Sequence, residues 1–159
     1  MSYQAVILTV SDSCAAGTRT DTSGPAIRAM LENAGFAVQA MQTVPDEEGQ
    51  ISAAIVHACD ILQADLVVTT GGTGLSPCDV TPEATLAVLD REIRAIPVAM
   101  WVEGLKSTPR AMLSRAVAGI RGHTLVLNVP GSEKAARENL GAVVATLDHA
   151  LRMLAGGGH

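Results

Sequence analysis

The sequence predicts a three-layer α/β/α protein in which a mostly parallel central sheet lies between two layers of helices. Residues 5–10 and 124–129 are near-continuous apolar runs, which are typical of parallel strands covered on both faces. Such runs alternate along the chain with segments whose apolar residues recur at helical spacing. With 159 residues, 48% of them hydrophobic, the chain can bury one core, so we assign residues 1–155 to a single domain and expect residues 156–159 to be a disordered tail.

The helices and strands follow one another in a regular order after the strand at residues 5–10. Ile27, Met30, Leu31 and Ala34 fall at positions i, i+3, i+4 and i+7 and predict the first helix, which Gly35 ends. The same reasoning predicts a strand at 36–44, a helix carrying the stripe Ile51, Ile55, Ala58, Cys59 and Leu62, a strand at 65–70, a helix at 81–91, a strand at 124–129 and a long last helix. Residues 93–122 predict a helix, a short helix at 109–115 and a small hairpin.

Composition argues against several classes of partner. A formal net charge of −5 and an aromatic content of only 2% are unlike those of proteins that bind nucleic acid by charge and base stacking. No apolar run is long enough to span a membrane, and no basic and apolar leader is visible. The three cysteines lack Cys-x-x-Cys spacing and predict neither a disulfide framework nor a zinc site. We therefore expect a cytoplasmic protein that binds neither nucleic acid nor membrane.

The most informative stretch is residues 70–84, which contains Gly71, Gly72, Thr73 and Gly74. A strand precedes it, and Thr81-Pro82-Glu83 has the hydroxyl, proline and early acid of a helix start. This order of strand, glycine turn and helix presents free backbone N–H groups to an anion, usually a phosphate. The loop lacks the Gly-x-x-x-x-Gly-Lys and Gly-x-Gly-x-x-Gly patterns, so it is neither a Walker loop nor a dinucleotide fingerprint, and a plain turn remains an alternative.

Further polar residues follow the other predicted strands. Ser11 and Asp12, Asp46, and Pro130-Gly131-Ser132 each follow a strand, and in an open α/β sheet ligands bind at the carboxyl ends of the strands. Asp79 beside the glycine turn could hold a metal ion that accompanies phosphates. Each residue also has a structural alternative: Asp79 and Ser132 could cap helices, Asp46 could begin a helix, and Ser11 and Asp12 could form a turn.

Other catalytic arrangements find little support in the sequence. The four histidines share no metal-ligand spacing, and no nucleophile elbow marks a Ser–His–Asp triad. Cys59 lies on an apolar helix face and is interpreted as a core residue. The favoured site is therefore one that handles phosphates by positioning and charge neutralisation.

These residues resemble the MogA/MoaB family of molybdenum-cofactor biosynthesis proteins and the G domain of gephyrin. The resemblance runs from residues 9–12 to the last helix. The blocks that carry it are Ser23-Gly24-Pro25, Val44-Pro45-Asp46-Glu47, the stretch 70–84, residues 111–116 with 119–122, and Asn128-Val129-Pro130-Gly131. Block 111–115, which contains Ser114, is more similar to the MogA-like branch than to MoaB.

The resemblance implies a molybdopterin adenylyltransferase, which transfers AMP from ATP to the terminal phosphate of molybdopterin with magnesium and releases pyrophosphate. Asp46 and Asp79 match family aspartates important for catalysis and would also place the metal. The implied binding residues are Ser11, Asp12, Gly71, Gly72, Thr73, Gly74, Glu83, Ser114, Pro130, Gly131 and Ser132. A homotrimer and transfer of the product to a molybdenum-insertion protein of the MoeA type are implied as well.

Alternatives within the resemblance are a MoaB-like protein that binds molybdopterin with little or no catalysis, and a trimeric scaffold module. At one position the chain departs from the family, because Cys78 stands where relatives commonly carry arginine before the aspartate. We expect weaker binding of ATP or pyrophosphate than in arginine-bearing relatives, unless Arg110 or Arg115 reaches the phosphates.

Overall fold

The computed structural model describes residues 2–157 of the chain and has one six-stranded sheet. The strands are β1 (Gln4–Val10), β2 (Ala37–Val44), β3 (Leu66–Thr70), β4 (Arg91–Glu92), β5 (Ala118–Arg121) and β6 (Thr124–Val129). The α-helices are α1 (Asp12–Ala15), α2 (Ser23–Asn33), α3 (Glu48–Val56), α4 (Thr81–Leu86), α5 (Ala95–Leu105) and α6 (Glu133–Leu154). A π-helical turn, His57–Ile61, extends α3, and a 3₁₀ helix spans Pro109–Leu113.

The sheet order β2-β1-β3-β6-β5-β4 determines where the polar loops meet. β2, β1, β3 and β6 are parallel neighbours, and Thr70 lies opposite Thr9 on one side and Val129 on the other. β5 and β4 are antiparallel and form one margin of the sheet. The predicted mostly parallel sheet is confirmed, and the loops after β1, β2, β3 and β6 emerge at one edge of it.

Two apolar layers cover the sheet because side chains alternate between its faces along each strand. Ile7 packs on one face with residues of α2 and α6, such as Ile27 and Leu140. Val6 and Leu8 pack on the opposite face with residues of α3, such as Ile55. The predicted α/β/α layering is therefore present.

The predicted helix at residues 81–91 is present, but its predicted end is wrong, because α4 ends at Leu86. The backbone beyond it pairs with β5 instead: Asp90 N donates to Ile120 O at 2.8 Å, and Ile93 N donates to Ala118 O at 2.8 Å. These tertiary hydrogen bonds override the local helical pattern.

Segment 93–122 contains the predicted helix as α5 and the predicted short helix as the 3₁₀ helix, which ends at Leu113 rather than at residue 115. The hairpin predicted within this segment is wrong in its extent, because β5 pairs with β4 and with β6, and both of these strands lie outside residues 93–122. Of the tail expected to be disordered, Gly156 N and Gly157 N donate to carbonyls of the last turn of α6, and Gly158 and His159 lie outside the described residues. Between residues 2 and 157, the chain contains no helix with the length and apolarity that a membrane crossing requires.

Candidate active site

A cavity of about 660 Å³ opens at the sheet edge where the parallel strands end. That volume is within the usual range of about 300–1,000 Å³ for small-molecule sites. Of the residues predicted from the sequence, those that line it are Ser11, Asp46, Gly71, Gly72, Thr73, Gly74, Asp79, Ser114, Pro130, Gly131 and Ser132. The structure thus brings four loops together, as the predicted topology required.

The glycine loop begins with two residues that no other amino acid could replace without strain. Gly71 and Gly72 have φ angles of +105° and +69°. A Cβ on Gly71 would collide with the carbonyl oxygen of Val10, and one on Gly72 with Oγ1 of Thr81. Both glycines are therefore required by positive φ and by close approach of the chain.

The amides of this loop divide into two groups. Gly71 N donates to Val129 O at 3.1 Å and so belongs to the sheet rather than to a ligand. Among the described residues, no protein acceptor receives the N–H groups of Gly72, Thr73 or Gly74. Three consecutive amides are therefore available to an anion, which the loop of a phosphate site requires.

Asp46 is held beside the loop. Its Oδ2 accepts from the backbone N–H of Asp12 at 3.0 Å, and its Oδ1 lies 3.2 Å from the position that a Cβ on Gly72 would take. Burial is the main cause that raises the pKa of Asp46. The Asp12 amide lowers this pKa, and the negative charges of Asp12 and Asp79 raise it further. A cation in the cavity would favour the charged carboxylate, and so would offset both the cost of burying that charge and its repulsion by Asp12 and Asp79.

Asp79 faces the other end of the glycine loop. Its Oδ2 accepts from the amide of Ser76 at 3.0 Å and lies 2.9 Å from the position that a Cβ on Gly74 would take. The N-cap of α4 is Val80, and no side chain makes a capping hydrogen bond there. The helix-capping alternative for Asp79 is therefore not what the structure contains.

Three serines complete the rim. Ser11 Oγ accepts from Cys14 N at 3.2 Å and caps α1, while Ser132 Oγ accepts from Ala135 N at 3.2 Å and caps α6. The N-terminus of the 22-residue α6 therefore lies at the cavity, where its dipole favours an anion. Ser114 Oγ accepts from Ala116 N at 3.3 Å.

Two residues predicted to bind a ligand have other contacts. Asp12 is exposed and outside the cavity lining, and its Oδ1 accepts from the amide of Asp46 at 2.8 Å. Glu83 is also outside the lining and forms an ion pair with Arg115 at 2.6 Å. Asp12 therefore contacts a residue that lines the cavity, whereas Glu83 contacts Arg115, which lies outside the lining.

Relatives commonly carry arginine at the position of Cys78, and in this chain no cation occupies that position. Cys78 is exposed and outside the cavity lining, and Arg115 is bonded to Glu83 and to loop carbonyls. Arg110 and Arg19 do line the cavity. Of the two cations considered from the sequence, Arg110 is the one that reaches the cavity.

Sequence reasoning missed several lining residues. Asp21 accepts from Thr9 Oγ1 at 2.7 Å and from Gly24 N at 3.0 Å, and so ties the loop before α2 to β1. The polar residues lining the cavity that were not predicted include Thr9, Arg19, Asp21, Thr108, Glu138 and Asn139. In the sequence, Asp21 could have been identified from its nearness to the Ser23-Gly24-Pro25 block. No feature of the sequence marks the side chains of α6 as part of the cavity.

The donor set suits a hard divalent cation that is shared with a substrate. Within residues 2–157, no group of three or more His, Cys, Asp or Glu side chains could hold a metal by itself. Magnesium is commonly bound through one or two carboxylates together with substrate phosphates and water. Asp46 and Asp79, on either side of the free amides, fit that requirement.

The chain is similar to known proteins over nearly its whole length. A family model described as a probable molybdopterin binding domain matches residues 6–149. A molybdopterin adenylyltransferase from Helicobacter pylori is 37% identical over 94% of this chain and 86% of that protein. A crystal structure of the molybdopterin biosynthesis enzyme MoaB from Thermus thermophilus is 49% identical, with a TM-score of 0.92 over 97% of both chains.

A longer relative matches through one part of its length. The gephyrin of Dictyostelium discoideum is 41% identical over 93% of this chain, but the chain spans only 22% of that protein. The cavity residues named above fall within the matched residues 6–149.

Proposed function

The chain belongs to the family of probable molybdopterin binding domains, and we propose that it is a molybdopterin adenylyltransferase of molybdenum cofactor biosynthesis. The observation that carries this proposal is the set of free amides at Gly72, Thr73 and Gly74 between the carboxylates of Asp46 and Asp79. Such a set suits a polyphosphate together with a cation. The Helicobacter pylori relative of that name supports the same interpretation.

The reaction would join an oxygen of the terminal phosphate of molybdopterin to the α-phosphorus of ATP. The bond from that phosphorus to the bridging oxygen breaks, and pyrophosphate leaves with the electron pair. A phosphate monoester is already ionised at neutral pH, so no serine, cysteine or histidine nucleophile is needed. Catalysis then consists of positioning and stabilisation of charge.

This chain's residues would divide that work between two parts of the cavity. The amides of residues 72–74 would receive phosphate oxygens of ATP, and the N-terminus of α6 with Ser132 would favour a second anionic group. Ser11, Ser114, Pro130 and Gly131 would line the remaining surface. A cavity of about 660 Å³ is large enough to align the two reacting phosphates.

Magnesium is part of the proposal. When bound, the ion would neutralise charge on the α-phosphate and on the departing pyrophosphate. Asp46 and Asp79 would hold it, with substrate oxygens and water as the other ligands. Burial is the main cause of the raised pKa of Asp46, and a bound cation would favour the charged form of this carboxylate.

The 49% identity to the Thermus thermophilus MoaB supports a MoaB-like protein as the second candidate. In the resemblance described above, such a protein binds molybdopterin with little or no catalysis. Purified molybdopterin, ATP and magnesium distinguish the two. Formation of adenylyl-molybdopterin and pyrophosphate in equal amounts supports the enzyme. Binding of molybdopterin without product would instead identify a MoaB-like binding protein.

We also propose a homotrimer in the cytoplasm that passes its product to a MoeA-type insertion protein. An apolar face, defined by Val98, Val102, Leu105 and Met112, supports the oligomer because these side chains are 44–65% exposed. Exposed apolar patches of this kind are common at protein interfaces. A trimer without adenylylation would favour the scaffold alternative.

A further inference from the structure

The guanidinium group of Arg115 binds the backbone of the loop that carries Asp79. Its Nε donates to Gly74 O at 2.8 Å, and its Nη2 donates to Asp79 O at 2.6 Å. The backbone amide of Arg115 donates to Thr73 O at 2.8 Å. One residue thus holds both ends of the segment 74–79.

The same guanidinium is joined to helix α4. Nη1 donates to Oε2 of Glu83 at 2.6 Å, and Nη2 lies 3.3 Å from Oε1 of the same residue. This hydrogen bond is the main cause of a lowered pKa at Glu83 and a raised pKa at Arg115. The first turn of α4 also contains Thr81, whose amide donates to Gly72 O at 3.1 Å. Arg115 therefore joins segment 74–79 to a helix whose first turn is hydrogen-bonded to the carbonyl group of Gly72, beside the free amides.

Segment 74–79 has little else to hold it. Its own hydrogen bonds are local: Asp79 N donates to Ser76 O at 2.9 Å, and Ser76 N donates to Asp79 Oδ2 at 3.0 Å. Leu75 is 65% exposed, so the segment gains little from apolar packing. Among the described residues, Arg115 is the only donor outside the segment that hydrogen-bonds to it.

We infer that Arg115 is the positioning residue for Asp79, fixing the distance between that carboxylate and the amides of residues 72–74. Arg115 lies outside the cavity lining, so it acts through the loop and not on the substrate. The inference rests on the proposed function only in that Asp79 is taken as one of the two carboxylates that would hold magnesium. Lysine cannot replace it, because one ammonium lacks the planar fork that reaches two carbonyls and a carboxylate together.

The experiment compares Arg115→Lys with a matched control, Arg121→Lys. Arg121 binds both carboxylate oxygens of Asp60, at 3.1 and 2.8 Å, and Val88 O at 2.9 Å, so its chemistry is the same but its place is away from the cavity. Hydrogen exchange of the Ser76 and Asp79 amides is measured without substrate. Adenylylation kinetics are then measured with molybdopterin, ATP and magnesium.

For Arg115→Lys we expect exchange at these two amides to rise roughly tenfold or more, with no such rise in Arg121→Lys. A misplacement of about 1 Å can lower a rate about a hundredfold, so kcat should fall between about ten- and a hundredfold while KM for ATP changes little. Equal exchange in the two variants, or an equal fall in kcat, would overturn the inference. An inactive wild type would instead contradict the proposed function, and the exchange measurement would still decide the role of Arg115.

Discussion

Asp12 and Asp46 each accept a hydrogen bond from the other's backbone amide. The two distances are 3.0 Å for Asp12 N to Asp46 Oδ2 and 2.8 Å for Asp46 N to Asp12 Oδ1. This reciprocal pair joins the loops after β1 and β2. It leaves Oδ1 of Asp46 beside Gly72, while Asp12 itself stays outside the cavity lining. The pair therefore fixes one of the two carboxylates that the proposed reaction uses.

We predict that Asp46→Asn and Asp79→Asn nearly abolish adenylyl transfer and leave the fold and molybdopterin binding largely intact. Asparagine keeps an acceptor for the amides of Asp12 and Ser76 but removes the charge that would hold magnesium. Initial rates and circular dichroism check the two parts. Turnover within about threefold of wild type in both variants would contradict the metal-positioning role, because a lost charge at such a site costs far more.

The raised pKa of Asp46 predicts a pH-dependent effect on stability. Because burial raises this pKa above its ordinary value of 3.8, the folded state holds the proton more firmly than the unfolded chain does. The favourable contribution is therefore complete below pH 3.8 and is lost as pH rises through the folded pKa. In magnesium-free buffer, Asp46→Asn should gain thermal stability relative to wild type between acid and neutral pH. If the melting temperature of Asp46→Asn fell relative to that of wild type as pH rose, the predicted direction would be wrong.

Gly72→Ala should damage both the fold and the site, whereas Gly122→Ala is the matched control. Both glycines have positive φ, +69° and +58°, so each variant has a backbone cost of about 1–2 kcal/mol. Only at Gly72 would the new methyl group meet Oγ1 of Thr81 and crowd Oδ1 of Asp46; around Gly122 there is open space. Chemical denaturation and activity assays should therefore find a larger loss in Gly72→Ala, and activity lost only there. Similar values for the two variants would mean that the loop does not pack as described.

Arg110 should contribute more to nucleotide affinity than the position of Cys78. Arg110 lines the cavity, whereas Cys78 is exposed and outside the lining. A hydrogen bond to a charged group contributes about 1.5–3 kcal/mol, so Arg110→Gln should weaken ATP binding roughly ten- to a hundredfold. Calorimetry with magnesium provides the measurement, and Cys78→Arg is the comparison. Several-fold tighter binding in Cys78→Arg with no loss in Arg110→Gln would reverse this assignment.

Val102→Asp should reduce the proposed trimer to monomers. Val102 lies on α5 within the apolar face and is 57% exposed, and a buried unpaired carboxylate would be costly in an interface. Ile61→Asp is the control, since Ile61 is 69% exposed but lies on the π-helical turn. Light scattering at micromolar concentration gives the mass of each. A monomeric wild type would contradict the trimer without affecting the cavity.

Local pattern was enough to predict the architecture. The apolar runs of β1, β3 and β6 and the helical stripe of α2 depend on side-chain periodicity within one segment, which is visible in the sequence alone. The family assignment followed from ordered blocks, and the match over residues 6–149 confirms it. The convergence of four loops also followed, because parallel strands end at one edge of their sheet.

The sequence by itself thus determined the α/β/α fold, the glycine loop and the edge at which the site lies. Only the tertiary structure decided which polar residues face the cavity. In that structure Asp12 and Glu83 lie outside the cavity lining, whereas Arg110 lies within it. Helix α4 ends at Leu86, and the backbone that follows it hydrogen-bonds to β5. The reason is physical: periodicity records what one segment buries, whereas the partner of a loop carboxylate depends on distant residues that the fold brings within hydrogen-bonding distance.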